Sequence, residues 1–154
     1  MRYILLTYFA LLGYIKQSHG QLTVCDEDAG TFKIDTMILN VCDDKPTCNF
    51  ESNKRVSGSA SITPTVDSTS LFASATFLTR FGRRDVDIRR YMDEDLFELL
   101  LPWAAGVPKT MAWGFVTPLF RPSMDVTVII RVKNENDEII CCLSAKGRLK
   151  GRLF

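Results

Sequence analysis

The chain has 154 residues, 46% of them hydrophobic, and its 19 basic and 18 acidic residues leave a formal net charge of +1. This length is enough for one ordinary domain that buries its own core. The charge balance excludes the overall positive field that favours nucleic acids or anionic membranes.

The first segment, residues 1–20, predicts a secretory signal peptide. Arg2 precedes an apolar run, and the small residues Ser18 and Gly20 stand at the −3 and −1 positions of a cleavage site. The apolar run is shorter than the about 20 residues that cross a bilayer, so no stable membrane insertion is expected. We therefore expect a secreted, extracellular protein whose single domain spans residues 21–154.

The single histidine, His19, lies within the predicted signal peptide. Its loss removes Ser-His-Asp and Cys-His catalysis together with histidine-based metal sites. The cysteines show no CxxC pair that would hold zinc. We predict a protein that is not an enzyme, with no catalytic residue, no metal and no cofactor.

Alternation of apolar and polar residues is the main signal along the chain, and it is typical of strands with one buried face. The alternating segments, in chain order, are "TFKIDTMILNV", "LFASATFLTRF", "KTMAWGFV", "VTVIIRV" and "EIICCLSAKG". Turn signals such as "ESNKRVSGSAS", "FGRRD" and "PLFRPS" separate them. Six or seven short strands with frequent turns predict one all-β sandwich.

Two segments depart from this pattern. Pro64 lies in "SASITPTVD", which otherwise has the composition of a strand, and proline cannot donate to a ladder, so we expect an edge strand or a bulge. "MDEDLFELLLPWAAG" is predicted to be a long loop with some helical character that ends at Pro102.

Five cysteines in an oxidising compartment leave one without an internal partner. Cys42 and Cys48 flank a short turn, where a disulfide is geometrically easy and would contribute roughly 2 kcal/mol. Cys25 needs a distant partner, and a bond to Cys141 or Cys142 would contribute roughly 4–5 kcal/mol. Adjacent side chains on a strand face opposite ways, so only one of the two can face Cys25.

Several segments, in their order and spacing, resemble the ML lipid-recognition domain family over nearly all of the predicted domain. They are "VCDEDAG", "MILNVCDDKPTC", "FGRRDVDI", "LPWAAGVPKTMAWGFVTP" and "VIIRVKNENDEIICC". The family includes the lumenal sterol-binding protein of Niemann–Pick type C disease and the group-two mite allergens. The resemblance implies an immunoglobulin-like β-sandwich of two antiparallel sheets with an apolar cavity between them.

The resemblance also implies a pattern of disulfides. Cys25 is expected to pair with Cys141 and Cys42 with Cys48, which leaves Cys142 either buried or available to an intermolecular bond. The bond from first strand to last would limit how far the sandwich opens. The third disulfide that is usual in the family is missing, because its two positions hold leucines, Leu96 and Leu101; we interpret these as an apolar contact that replaces the bridge.

The function that the resemblance implies is non-catalytic binding of a hydrophobic small molecule between the sheets. An apolar ligand would gain roughly 25 cal/mol for each Å² that it removes from water. The expected ligand-binding residues, each of which could equally be plain core, are Met37, Leu39, Phe77, Phe81, Trp113, Phe115, Val128 and Ile130.

A cluster of five arginines in "RFGRRDVDIRRY" could clamp an anionic head group. Asp85 and Asp87 are interleaved with these arginines, so mutual pairing on a solvated loop is the alternative. If the cluster lies at the rim of the pocket, an anionic lipid is favoured over a sterol.

Three functions stay open from the sequence. The chain could transport or sequester a sterol, fatty acid or phospholipid, it could serve innate immunity by presenting microbial lipid to a receptor protein, or it could be a filled interaction module without a ligand. No N-x-S/T sequon is present, which favours extracellular fluid over glycan-dependent lysosomal sorting. No nucleic-acid partner is expected.

Overall fold

The computed structural model describes residues 22–28, 31–42, 47–88 and 100–152. The predicted signal peptide lies outside these ranges, as does most of the loop predicted to have helical character. Within them, no helix is long and apolar enough to cross a membrane. The strands are β1 Leu22–Val24, β2 Phe32–Leu39, β3 Cys48–Glu51, β4 Arg55–Pro64, β5 Leu71–Thr79, β6 Gly82–Asp87, β7 Lys109–Val116, β8 Met124–Asn134 and β9 Ile139–Lys150.

The strands form two sheets, which confirms the predicted all-β sandwich. The larger sheet has the order β1-β9-β8-β5-β6, with β3 also paired to β9, and the smaller sheet has the order β2-β4-β7. Pairing is antiparallel throughout except between β3 and β9, which run parallel. β8 pairs with β9 along one side. On the other side, β1 pairs with the first part of β9 and β3 with the part that follows.

A bulge in β2 keeps its apolar residues on one face. Phe32 and Ile34 are two residues apart, but Met37 follows Ile34 by three, which breaks a strict alternation. The β2–β4 register shifts between Ile34 and Thr36, so one extra residue is absorbed there. As a result Met37 and Leu39 return to the inner face of the smaller sheet.

The prediction of an edge strand or a bulge at Pro64 was wrong. β4 is the central strand of the smaller sheet. Its pairing with β7 stops at Ile62, opposite Lys109, and Pro64 pairs only with Phe32 of β2. Because Pro64 lies beyond the last residue of β4 that pairs with β7, its missing N–H removes no hydrogen bond between these two strands.

The long-range disulfide joins Cys25 to Cys142, and the Cys25–Cys141 bond implied by the resemblance was wrong. The β1–β9 register decides the partner. Val24 lies opposite Leu143, which brings Cys25 opposite Cys142, and the Cys25 N–H donates to the Cys142 carbonyl at 3.1 Å. Directly opposed residues of antiparallel strands have side chains on the same face.

A bulge in the β8–β9 hairpin accounts for the difference of one residue. Lys133 pairs with Ile139, but Val132 pairs with Cys141, so Ile140 is an extra residue between the two pairs. Counting residues along a hairpin without a bulge therefore places the bonded cysteine one residue too early, at Cys141 instead of Cys142. Cys141 itself lies in the core with its thiol free.

The two disulfides hold different parts of the sandwich. The Cys25–Cys142 bond connects β1 and β9, which belong to the same sheet, so the expectation that it limits sandwich opening was wrong. Cys42 and Cys48 form the second disulfide. This bond connects the turn after β2 of the smaller sheet to the start of β3 in the larger one, and it is therefore a disulfide cross-link between the two sheets.

Candidate functional site

The space between the sheets has apolar walls on both sides. On the larger sheet, Phe77 lies opposite Val128, and Ala75 lies opposite Ile130. On the smaller sheet, Leu39 of β2 lies opposite Gly58 of β4, which lies opposite Trp113 of β7. Of the eight predicted ligand-binding residues, these inner faces bring together Met37, Leu39, Phe77, Trp113, Phe115, Val128 and Ile130. Their contact with a ligand stays a prediction.

Phe81 does not join this group. β5 ends at Thr79, so the alternation stops and Phe81 lies in the turn before β6. Its side chain is 67% exposed, and the Arg80 guanidinium stacks 4.6 Å from the centre of its ring. The expectation that Phe81 points inward was therefore wrong.

Four aromatic rings fill one end of the space between the sheets. The Phe77 ring contacts Phe115 edge-on at 5.8 Å between centroids and Phe50 at 6.4 Å, and it lies 6.1 Å from Phe120. Because Phe77 and Phe115 belong to opposite sheets, their contact spans the sandwich. Several pockets lined by the described residues open at the surface of the sandwich, and the cavity between the sheets stays a prediction.

Small residues occupy several inner positions of both sheets. They are Gly58, Ala60, Ala73, Ala75 and Ala145. At Gly58 a Cβ would meet the Ile38 carbonyl oxygen at 2.7 Å and the Trp113 Nε1 at 2.9 Å.

Trp113 carries an unsatisfied donor on this inner face. Its indole Nε1 is buried without a hydrogen-bond partner in the described part of the chain. By contrast, the other tryptophan, Trp103, donates its indole N–H to the Val107 carbonyl at 2.7 Å. A buried donor without an acceptor is costly, and a bound molecule with an oxygen atom at this position would satisfy it.

The arginine cluster divides into members with different roles. Arg83 is paired to both carboxylate oxygens of Asp85 at 3.0 Å, as expected for pairing on a solvated surface. The Thr76 hydroxyl and Arg83 together lower the pKa of Asp85. Arg84 instead donates to the Leu119 carbonyl at 3.1 Å and stacks over the ring of Phe120 at 5.0 Å. Two further members, at positions 89 and 90, lie outside the described residues.

Sequence reasoning missed the partners of Arg84. Leu119 and Phe120 belong to "PLFRPS", which has the proline and serine content of a simple turn. Two consecutive large apolar residues within a turn were the available signal. In the structure they bring an apolar surface beside a guanidinium group.

Neither a protein-family model nor a curated protein sequence matches this chain. Among solved structures, a Niemann-Pick type C2 protein from the Japanese carpenter ant superposes with a TM-score of 0.67 at 18% identity, over 83% of this chain and 99% of that chain. The fold is therefore a β-sandwich like that of this Niemann-Pick type C2 protein.

Two further solved structures are less similar to this chain. The C-terminal domain of wzt gives a TM-score of 0.46 at 11% identity, over 86% of this chain and 78% of that chain. The alkylpurine DNA glycosylase AlkC from Pseudomonas fluorescens, bound to DNA with an abasic site analog, gives 0.45 at 13% identity, over 79% of this chain and 31% of that chain.

Proposed function

We propose that this chain is a secreted, non-catalytic lipid-binding protein of the ML type, which holds a hydrophobic ligand between its two sheets for transport or sequestration. The observation that carries the proposal is the pair of opposed apolar inner faces in a sandwich like that of a Niemann-Pick type C2 protein. The ligand class is a sterol, a fatty acid or a phospholipid.

The composition of the inner faces supports a space that a ligand can enlarge. Ala75 and Ala145 have small side chains on the inner face of the larger sheet, while the half-buried Met37 at the edge of the smaller sheet has a flexible side chain. Each Å² of ligand surface removed from water would contribute roughly 25 cal/mol. No reacting side chain is needed for this activity.

Native mass spectrometry on protein secreted from eukaryotic cells tests the proposal. We expect a mass excess that disappears on organic extraction, with fragments that identify the lipid. A clean protein mass, with no displacement of fluorescent sterol or fatty acid, would instead indicate a filled interaction module.

Two leucine substitutions on β9 locate the ligand. Ala145→Leu places extra volume on the inner face, and we expect it to reduce the retained lipid. Ser144→Leu places the same side chain on the outer face of the same strand and should leave the retained lipid unchanged. Equal retention in both variants would place the ligand outside the space between the sheets.

A further inference from the structure

Basic side chains stand in line on the outer face of the larger sheet, which binding between the sheets does not use. The second half of β9 alternates strictly, with Ala145, Gly147 and Leu149 buried and the residues between them exposed. Alternate residues of a strand share a face and follow one another at about 6.5–7 Å. We call this line, with the exposed arginine that follows the strand, the β9 cationic row; its members are Lys146, Arg148, Lys150 and Arg152.

The members on β9 have no fixed ionic partner. Within the described residues, no ion pair and no side-chain hydrogen bond uses Lys146, Arg148 or Lys150. Their charged N–H groups are therefore exposed to water and available to an external anion. The ion pairs that do form there lie elsewhere on the sandwich, and they are Lys33–Asp35, Arg83–Asp85 and Lys133–Asp137.

Two carboxylates lie beside the β9 cationic row on the neighbouring strands. Asp125 of β8 is opposite Arg148, and Glu51 of β3 is opposite Lys150. Exposed pairs of opposite charge at such positions contribute little. A ligand that carries many negative charges therefore competes with these two carboxylates at a small cost.

Further cations extend the β9 cationic row at both ends. Arg80 lines a surface depression together with Lys146, and Lys54 lines another together with Lys150 and Arg152. The acidic residues among the described residues that line the two depressions are the same Asp125 and Glu51. The surface thus carries an excess of positive charge, although the whole chain has a formal net charge of only +1.

The backbone beneath the β9 cationic row is held on both sides. β8 pairs with this part of β9 along one side and β3 along the other. The Cys42–Cys48 disulfide fixes the start of β3, where Cys48 lies opposite Gly147. The spacing of the cations is therefore set before a ligand arrives, which lowers the entropic cost of binding.

We infer that the β9 cationic row binds a sulfated polysaccharide, a linear polymer with anionic groups repeated along its length. Guanidinium and ammonium groups both bind such oxyanions, the guanidinium with two parallel hydrogen bonds. The inference goes beyond lipid binding and shares with the proposed function only the expectation of secretion. It is argued from charge complementarity and from the linear spacing of the cations.

The composition of the row favours a polysaccharide over a membrane or a nucleic acid. The outer positions of this part of β9 are Ser144, Lys146, Arg148 and Lys150, so no apolar side chain of the strand can enter a bilayer, as surface-bound proteins require. No aromatic side chain is present there on which a base would stack.

Heparin and fully desulfated heparin test the inference, because they share a sugar backbone and differ in sulfation. Isothermal titration calorimetry on the secreted protein gives Kd for each polymer at several salt concentrations. We expect heparin to bind at about 0.15 M salt. Desulfated heparin should bind at least about tenfold more weakly, since fewer anionic groups contact the row.

A triple variant removes the charges of the row. Lys146→Gln, Arg148→Gln and Lys150→Gln together should weaken heparin binding at least about tenfold. The slope of log Kd against log salt concentration should fall by roughly 2–3, because each lost contact leaves about one counter-ion unreleased.

A matched triple variant controls for net charge. Lys33→Gln, Arg55→Gln and Lys133→Gln also remove two lysines and one arginine, from strands outside the row. We expect heparin affinity to change by less than about twofold, because charges more than about 8 Å apart are largely screened at this salt concentration. Thermal unfolding followed by circular dichroism checks that both triple variants stay folded.

Three outcomes would overturn the inference. Equal losses in the two triple variants would mean that net charge, and not the row, attracts heparin. Absence of heparin binding at about 0.15 M salt would leave the row as a solvated face. If the protein binds vesicles of phosphatidylcholine and phosphatidylserine more tightly than heparin, and loses that binding in the row variant, the row contacts a membrane instead. The lipid mass excess expected from native mass spectrometry tests the proposed function separately, since none of these outcomes changes it.

Discussion

At the residue scale, Cys141 shows how burial changes a side chain's chemistry. Its thiol lies in the core, and burial raises its pKa from 9.0 to about 12. The unfolded chain releases this proton near its ordinary pKa, whereas the folded chain retains it. The contribution of the thiol to stability is therefore complete below that ordinary pKa and is lost as the pH rises toward 12.

We predict that Cys141→Ala makes the unfolding free energy less dependent on alkaline pH. The unmodified protein should lose unfolding free energy relative to the variant, by up to about 1.4 kcal/mol for each pH unit above the ordinary pKa of the thiol. Urea denaturation at two alkaline pH values measures it, and other groups that titrate there cancel between the two proteins. Parallel curves for the two proteins would contradict the burial of an intact thiol.

The two tryptophans form a matched pair for a second prediction. Trp103→Phe removes the hydrogen bond to Val107, whereas Trp113→Phe removes a donor that has no partner within the described residues. Both substitutions lose a similar volume from a buried ring. We expect Trp103→Phe to cost about 1 kcal/mol more in unfolding free energy than Trp113→Phe, as measured by chemical denaturation. A larger cost at Trp113 would indicate that its indole N–H is satisfied.

At the element scale, one carboxylate ties the β8–β9 turn to the segment before β5. Glu135 accepts hydrogen bonds from the backbone N–H groups of Thr69 and Ser70 at 3.0–3.2 Å. Backbone hydrogen bonds, the first of them from its own N–H, lower the pKa of Glu135 from 4.5 to about 2. Its contribution to stability is present above the ordinary pKa and is lost as the pH falls from 4.5 toward 2.

We predict that Glu135→Gln lowers the melting temperature at neutral pH and reduces the loss of stability on acidification. Glu51→Gln, an exposed change on β3, is the control, because no backbone hydrogen bond to its carboxylate is found in the described part of the chain. Thermal unfolding followed by circular dichroism between neutral and acid pH measures both. An identical acid response in the two variants would mean that the turn is not held by Glu135.

The backbones of the parallel strands β3 and β9 approach each other closely at Gly147. A Cβ at Gly147 would overlap the Cys48 carbonyl, which belongs to the paired strand. We expect Gly147→Ala to lower the unfolding free energy by about 1–3 kcal/mol. Ser144→Ala on the outer face of the same strand should cost less than about 0.5 kcal/mol. Equal costs in denaturation experiments would argue against the parallel pairing.

The sequence predicts some elements better than others for physical reasons. β7 matches its alternating segment residue for residue, because one of its faces is buried along most of the strand. β6 was mistaken for a turn because it is an edge strand with almost every residue exposed, so no apolar alternation exists. The polar start of β4 likewise has few apolar residues to alternate. β3 does alternate, with Cys48 and Phe50 buried, but its four residues are too short a run to give a signal.

Features that depend on register could not be predicted from the pattern. A bulge adds one residue without changing composition, so Ile140 in the β8–β9 hairpin leaves no signal in the sequence. The extra residue of β2 leaves only the step of three residues from Ile34 to Met37. The choice between Cys141 and Cys142 follows from that register alone. The contact between Arg84 and Phe120 depends on two distant segments that meet only in the folded chain.

At the scale of the whole molecule, the two disulfides are expected to act on different properties, one on stability and the other on the spacing of the sheets. The Cys25–Cys142 bond closes a sequence separation of 117 residues but joins neighbouring strands of one sheet. The Cys42–Cys48 bond closes a separation of only 6 residues, yet it connects the two sheets. Loop entropy depends on the separation, whereas resistance to opening depends on which elements are connected.

We therefore predict opposite rankings for the two double variants in two measurements. Replacing Cys25 and Cys142 by alanine should cost about 5 kcal/mol of unfolding free energy, against about 2 kcal/mol for Cys42 and Cys48. Lipid release should respond the other way: loss of the Cys42–Cys48 bond lets the sheets separate and speeds dissociation, while loss of the Cys25–Cys142 bond leaves the rate unchanged. Denaturation curves and release of a fluorescent fatty acid, at a temperature where both variants stay folded, give the two rankings. If both measurements rank the variants alike, release follows overall stability, and the short disulfide does not control the spacing of the sheets.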